Sequence, residues 1–154
     1  MKEKIGIASD HGGKKLKQHL LDSLRSSGYE VLDFGVSLDS PSVDYPDYAE
    51  KLATEISRGQ IAKGVMVCGT GIGMCIAANK FPGVRAVSIW DEFTARMTRQ
   101  HNDANVVCFG ERIHNTHRAE DLLKIWLETP FEGGRHETRV DKISSLEKKN
   151  MKGK

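Results

Sequence analysis

Cys68 ends the apolar run Val65-Met66-Val67 and stands immediately before Gly69-Thr70-Gly71-Ile72-Gly73. Glycine at every second position removes Cβ atoms, so backbone N–H groups can turn inward around an anion. A helix opening at the same place adds unpaired N–H groups and the positive end of its dipole. The stretch therefore offers a thiol, as base or nucleophile, beside an oxyanion site. The plainer alternative is a tight strand–helix turn. The spacing is not the GxGxxG of dinucleotide folds and lacks a P-loop lysine. It is the cysteine before the glycines and Thr70 among them that turn the balance toward chemistry.

Other candidates are scattered along the chain. Asp10 and His11 precede Gly12-Gly13, and His101 precedes Asn102; taken alone, either histidine is more often a surface residue than a functional one. Arg135 and Arg139 are four apart, so on a helix they project from one face. Two guanidinium forks near a helix N-terminus suit a phosphate dianion, but Glu137 and Asp141 interleave, as on a solvated face. Cys75 and Cys108 lie in apolar surroundings and read as small core residues. His114 and His117 sit in a polar stretch without an acidic or thiol partner at ligand spacing, so no metal is expected. His19 reads as a helix residue of no special role, and His136 is left without one.

Something must bring these residues together, and the hydrophobic pattern shows what. Strands are expected at Ile5 to Ser9, Tyr29 to Phe34, Val65 to Val67, Val84 to Trp90 and Val106 to Phe109. Between them, Leu16, Leu20, Leu21 and Leu24 have helical spacing, and Gly28 marks a stop. Pro46 starts a second helix presenting Ala49, Leu52, Ala53 and Ile56. A short helix follows Gly73, another starts at Asp91 or Glu92, and one runs from Arg118 to Leu127. The last extends from about Arg135 to Lys149. Alternating strands and helices mean βαβ units and a parallel sheet with helices on both faces. Ligands bind beyond the carboxyl ends of such strands. On that rule Asp10, His11, Cys68, Asp91, Arg112 and also His101 share one rim. Residues 1–150 form one domain with a C-terminal helical arm, and 151–154 a solvated tail.

Bulk composition narrows the class. The chain has 154 residues, enough for one domain with a real core. A formal net charge of +2 carries no footprint for nucleic acid or a membrane surface. Three cysteines without a CxxC pair argue against a disulfide framework. With no apolar leader and no spanning run, a cytoplasmic location is expected.

Six motifs in order resemble one family: Ser9-Asp10-His11-Gly12-Gly13, Asp44-Tyr45-Pro46, Cys68 to Gly73, Ala77-Ala78-Asn79-Lys80, Arg99 to Asn105, and Gly133-Gly134-Arg135-His136 with Arg139-Val140. Over about residues 4 to 149 the chain resembles the type B ribose-5-phosphate isomerases, relatives of the galactose-6-phosphate isomerase subunits. The resemblance implies a three-layer α/β/α, Rossmann-like fold with a five-stranded parallel sheet. It implies an aldose–ketose isomerase without metal or organic cofactor, assembled as a homodimer or dimer of dimers with active sites between subunits.

Isomerisation moves a proton between neighbouring carbons through a cis-enediolate, and one base can make both transfers if the oxyanion is stabilised. Cys68 is assigned as that base, the N–H groups of Gly69, Thr70, Gly71, Ile72 and Gly73 as the anion hole, and Thr70 as proton donor or acceptor at the substrate oxygens. By resemblance His101 opens the furanose ring, and Asp10 lies at the sugar hydroxyls or ring oxygen. The same resemblance gives the phosphate to His11, Arg135 and Arg139, with Arg112 as an addition, and the sugar to Asn102 and Tyr45. The nearest alternative substrate is allose or galactose 6-phosphate. A flavin or nucleotide module would need a phosphate loop after strand one or an acid at the tip of strand two. Asp33 is expected inside that strand. A non-catalytic subunit would not need so full a set of site residues.

Overall fold

In the computed structural model, which describes residues 3–151, five parallel strands form one sheet in the order β2-β1-β3-β5-β4. The strands are β1 (Lys4–Ser9), β2 (Glu30–Asp33), β3 (Lys63–Cys68), β4 (Ala86–Ser88) and β5 (Val106–Gly110). The helices are α1 (Lys14–Ser26), α2 (Tyr45–Ser57), α3 (Ile72–Ala78), α4 (Glu92–Gln100), α5 (Thr116–Glu128) and α6 (Arg135–Met151). Both faces of the central strands are buried, which is why they read as continuous apolar runs rather than alternating ones. Ile5, Ile7, Val65, Val67, Val107 and Phe109 pack toward α1, α4 and α5. Ala8, Met66, Cys68, Val106 and Cys108 pack toward α2 and α3. Each buried Leu or Ile side chain on this plan contributes about 1.5–3 kcal/mol.

Local chemistry sets most boundaries. Gly28, with φ 88°, ends α1. Pro46 lies in the first turn of α2. Asp91 and Thr94 form a reciprocal capping box at α4. Asn115 caps α5 through the N–H groups of His117 and Arg118, so that helix begins two residues before Arg118. Three expectations shift. β4 is shorter than Val84 to Trp90, Gly73 lies inside α3, and α6 continues through Asn150 to Met151. The rest of the expected tail, 152–154, lies outside the described residues.

Asp33 closes β2 rather than lying inside it. It is nonetheless committed: Oδ2 accepts from Lys17 Nζ at 2.6 Å, and Oδ1 from the Gly35 N–H at 2.8 Å. Lys17 is 2% exposed and also donates to the Val36 carbonyl at 2.8 Å. This buried ammonium anchors the start of the long loop that leads to Tyr45. Lys17→Ala should therefore cost about 3 kcal/mol, the lower end for breaking a buried pair because Asp33 keeps some solvent. Lys17→Met, which keeps the apolar stem, should lose less; urea unfolding midpoints of the two variants check both values.

Candidate active site

The sheet reverses its winding between β1 and β3, and the two strands are neighbours there. Residues after their carboxyl ends therefore meet in the crevice where ligands of such folds bind. Asp10, 6% exposed, follows β1, and its Oδ1 caps the turn His11–Gly13 through the Gly12 N–H at 2.9 Å. A Cβ on Gly12 would stand 3.3 Å from both Asp10 Oδ1 and the Gly69 nitrogen, so the two loops touch. Cys68 ends β3, 4% exposed, and its Sγ receives the Gly71 N–H at 3.1 Å. Gly71 makes this possible with φ 81°, a conformation that suits glycine at the N-cap of α3.

Other elements close around the thiol. After β5, Glu111 and Arg112 donate their backbone N–H groups to the carbonyls of Cys68 and Gly69 at 2.9 and 3.0 Å. The Arg112 guanidinium lies over Gly69, 3.5 Å from where a Cβ would be. The Glu111 carboxylate caps α1 by accepting the Leu16 N–H at 2.7 Å; nothing along the chain announces this cap, whose partners are 95 residues apart. Tyr45, at the start of α2, lays its ring against Gly73, whose Cβ would be 2.7 Å away. His11 Nδ1 lies 3.0 Å from the Val43 nitrogen and 3.2 Å from its carbonyl oxygen, which fixes the ring against the loop before α2. The Thr70 hydroxyl accepts from the Ile72 N–H at 3.3 Å and keeps its own proton to donate. The Gly71 and Ile72 N–H groups are thus engaged within the loop.

His101 and Asn102 are elsewhere. α4 starts at the strand-end rim and runs back for nine residues, about 13 Å at 1.5 Å per residue. Its end delivers His101 just before β5 begins, whereas Cys68 pairs with Gly110 where β5 ends. Four strand steps, about 13 Å, separate the two levels. The expectation that His101 shares the rim of Asp10, His11 and Cys68 is therefore wrong. It failed because strand-to-helix and helix-to-strand turns lie at opposite ends of a βαβ unit. α5 likewise carries the chain back to that opposite edge, so Arg135 and Arg139 open α6 near His101, where the Glu132 N–H reaches the Gln100 carbonyl.

This second group has its own architecture. The rings of His101 and His136 stack, centroids 4.1 Å apart and planes 11° apart. His136 is buried and pairs with Glu132 at 3.4 Å. Gly133 and Gly134, with φ 66° and 57°, make the bend that sets His136 there. Arg99 reaches the Asp103 carboxylate at 2.9 Å and the Ala104 carbonyl at 2.6 Å. Arg85 grips Asp103 from the other side at 3.1 Å. Asp103 itself has φ 45°. These three charges hold the turn that presents His101 and Asn102. Arg99 and Asp103 lie within the Arg99 to Asn105 motif and Arg85 beside the start of β4, and none of the three carried a sign of this role along the chain.

Burial, reinforced by repulsion from His101, holds the His136 imidazole below its ordinary pKa. The folded state then binds the proton less readily than the unfolded chain, so stability should fall as pH drops through about 6.5 and level off above it. Urea titrations of the protein and of His136→Asn between pH 5 and 8 should show a shallower fall in the variant.

Two remaining expectations are also corrected. His114 is buried, not in an open polar loop: Nδ1 accepts the Gly110 N–H at 3.0 Å and Nε2 reaches the Ile89 carbonyl at 2.7 Å. His117 lies in α5. Cys75 is half-buried, and its thiol, hydrogen-bonded to Cys108, is lowered to about 7. Cys108 is fully buried, as a core residue should be.

The family model for ribose/galactose isomerase matches residues 5–143. Ribose-5-phosphate isomerase B of Escherichia coli is 41% identical over 147 residues, 96% of this chain and 98% of that protein. The ribose-5-phosphate isomerase B structure from Clostridium thermocellum is 50% identical with a TM-score of 0.91, covering 95% of this chain and 98% of that one. The Mycoplasma genitalium enzyme, solved with bound ribulose-5-phosphate, is 38% identical with a TM-score of 0.92, covering 97% and 99%.

Proposed function

Since this chain belongs to the ribose/galactose isomerase family, we propose that it interconverts ribose 5-phosphate and ribulose 5-phosphate through a cis-enediolate. The observation that carries this reading is the Cys68 thiol at the β1–β3 crevice, with an N–H donor on its sulfur and Asp10, His11, Tyr45 and Arg112 around it. Cys68, as thiolate, takes the proton from C2 of the open-chain aldose and returns it to C1. The N–H groups of Gly69, Thr70 and Gly73 face the oxyanion, since those of Gly71 and Ile72 are held inside the loop. The Thr70 hydroxyl passes the proton between O1 and O2. Asp10 orients the sugar hydroxyls, and Tyr45 covers the carbon chain.

Before that step the ring must open: O1 gives its proton to solvent water, the bond from C1 to the ring oxygen breaks, and that oxygen gains a proton from His101. Arg135 and Arg139, with His11 and Arg112, hold the phosphate, and Asn102 holds the sugar. His101, Asn102 and the two arginines lie at the far edge of the sheet from Cys68, so one chain cannot apply both sets to a substrate of five carbons. A twofold pairing that sets the far edge of one copy against the crevice of the other builds two equal, complete sites. Ile72 and Ile76, one turn apart and exposed on α3, provide apolar surface for such a contact.

A coupled assay comparing ribose 5-phosphate with allose and galactose 6-phosphates tests the substrate. Turnover should be greatest for ribose 5-phosphate, and a higher kcat/KM for either hexose phosphate would move the reading to six-carbon sugars. Arg139→Ala should raise KM at least about tenfold with little change in kcat, the pattern of a lost charge-assisted phosphate contact.

A further inference from the structure

Among the described residues, two groups of side chains outside the thiol crevice gather ligand atoms of metal-binding type within 4.8 Å of one another: His101, Glu132 and His136, and, on the outer helical layer, His19, Glu120 and His117. The first is unsuited to share an ion as it stands. Lone pairs of an imidazole lie in its ring plane, and two stacked planes 11° apart do not converge. In the second group the His19 and His117 planes are 89° apart, centroids 5.7 Å apart. Perpendicular planes meet along a line, where both lone pairs can reach one point.

We propose that His19, His117 and Glu120 form a site for a borderline divalent transition cation of the zinc class, which would pin α1 to α5. His117 and Glu120 are three apart on α5 and share a face, while His19 comes from α1. Glu120 Oε2 meets His19 Nε2 at 2.5 Å, and Ser23 Oγ donates to the other oxygen at 2.7 Å. The carboxylate is thus oriented by a neighbour outside the ligand set, the usual support of a metal-bound carboxylate. Two imidazoles and a carboxylate match zinc, cobalt or nickel rather than magnesium or calcium. Metal–ligand bonds of about 2.0–2.2 Å at tetrahedral angles place ligand atoms about 3.4 Å apart, so an ion would open the 2.5 Å His19–Glu120 contact and draw His117 in. These partly exposed side chains have room to do so. A groove of about 420 Å³ lined by Ser23, Tyr29, Glu120, Asp121 and Glu128 opens beside the Glu120 carboxylate. Reading along the chain alone missed the site, because His117 finds its acid one helical turn on and its second imidazole across a helix packing.

Titration calorimetry with Zn²⁺ alone, on the full chain carrying Cys68→Ser and Cys75→Ser to remove the competing thiols, tests this independently of the isomerase reading. One ion per chain is expected, with His117→Ala and Glu120→Gln each weakening binding at least tenfold. Ser23→Ala should weaken it about tenfold, and His136→Ala should leave it unchanged. His117 is exposed, so its removal should not disturb folding; Zn²⁺ should raise the melting temperature of the parent and not of His117→Ala. No heat of binding, an unchanged affinity in His117→Ala, or loss of binding in His136→Ala would each overturn the proposal.

Discussion

Cys68→Ala is expected to lower kcat by at least about 10³-fold, within the range for loss of a positioned general base. In the proposed reaction the thiol at the carboxyl end of β3 is the acid–base group, and its neighbours Asp10 and Thr70 are committed in part to capping and to the loop. The fold should survive, because the lost sulfur sits at the mouth of the crevice and not in mid-sheet. Circular dichroism and an unchanged affinity for a non-reacting sugar phosphate check that. Cys68→Ser should recover little, since a hydroxyl is a far weaker acid than a thiol at neutral pH. A variant without the sulfur that still turned over at more than a tenth of the parent rate would remove the base assignment. Exchange of the C2 proton with solvent deuterium, followed by NMR, measures the step directly.

Mixing two inactive proteins should restore activity. In a twofold dimer, Cys68→Ala and His101→Ala chains together form one site with both defects and one with neither. Random exchange of equal amounts makes half of the dimers mixed, so about a quarter of all sites are intact. Recovery to about a quarter of parent activity after unfolding and refolding together is the expected result, with the unmixed variants as controls. No recovery would place Cys68 and His101 in one chain's site, against the separation imposed by α4 and β5. Because either variant alone is inactive under both readings, only the mixture discriminates between them.

The contrast between these residues shows what can be read along a chain. The thiol–glycine loop was legible because its function is local: glycine, thiol and helix start are consecutive, and the Gly71 N–H reaches Cys68 only three residues back. Asp10 and His11 were legible for the same reason, together with the rule that βα turns share a rim. His101 was singled out by the family motif and placed on the wrong edge by the rim rule. Whether a residue follows a strand or precedes one decides its edge, and His101 lies between α4 and β5. Strand order was equally hidden. β3, β4 and β5 are all short and apolar, so nothing in their sequences says that β5 inserts between β3 and β4.

From sequence alone came the α/β class, the position of each element to within a few residues, and the identity of the chemical groups. Those follow from hydrophobic period, caps and glycine turns, which are properties of neighbours in the chain. Tertiary structure alone decided how these groups are distributed. It stacked His136 on His101, brought His19 to Glu120, clamped Asp103 between Arg85 and Arg99, and set the two halves of the proposed catalytic set on opposite edges of the sheet. Each of these joins elements distant in sequence, and packing between buried faces, not local propensity, chooses which of them meet.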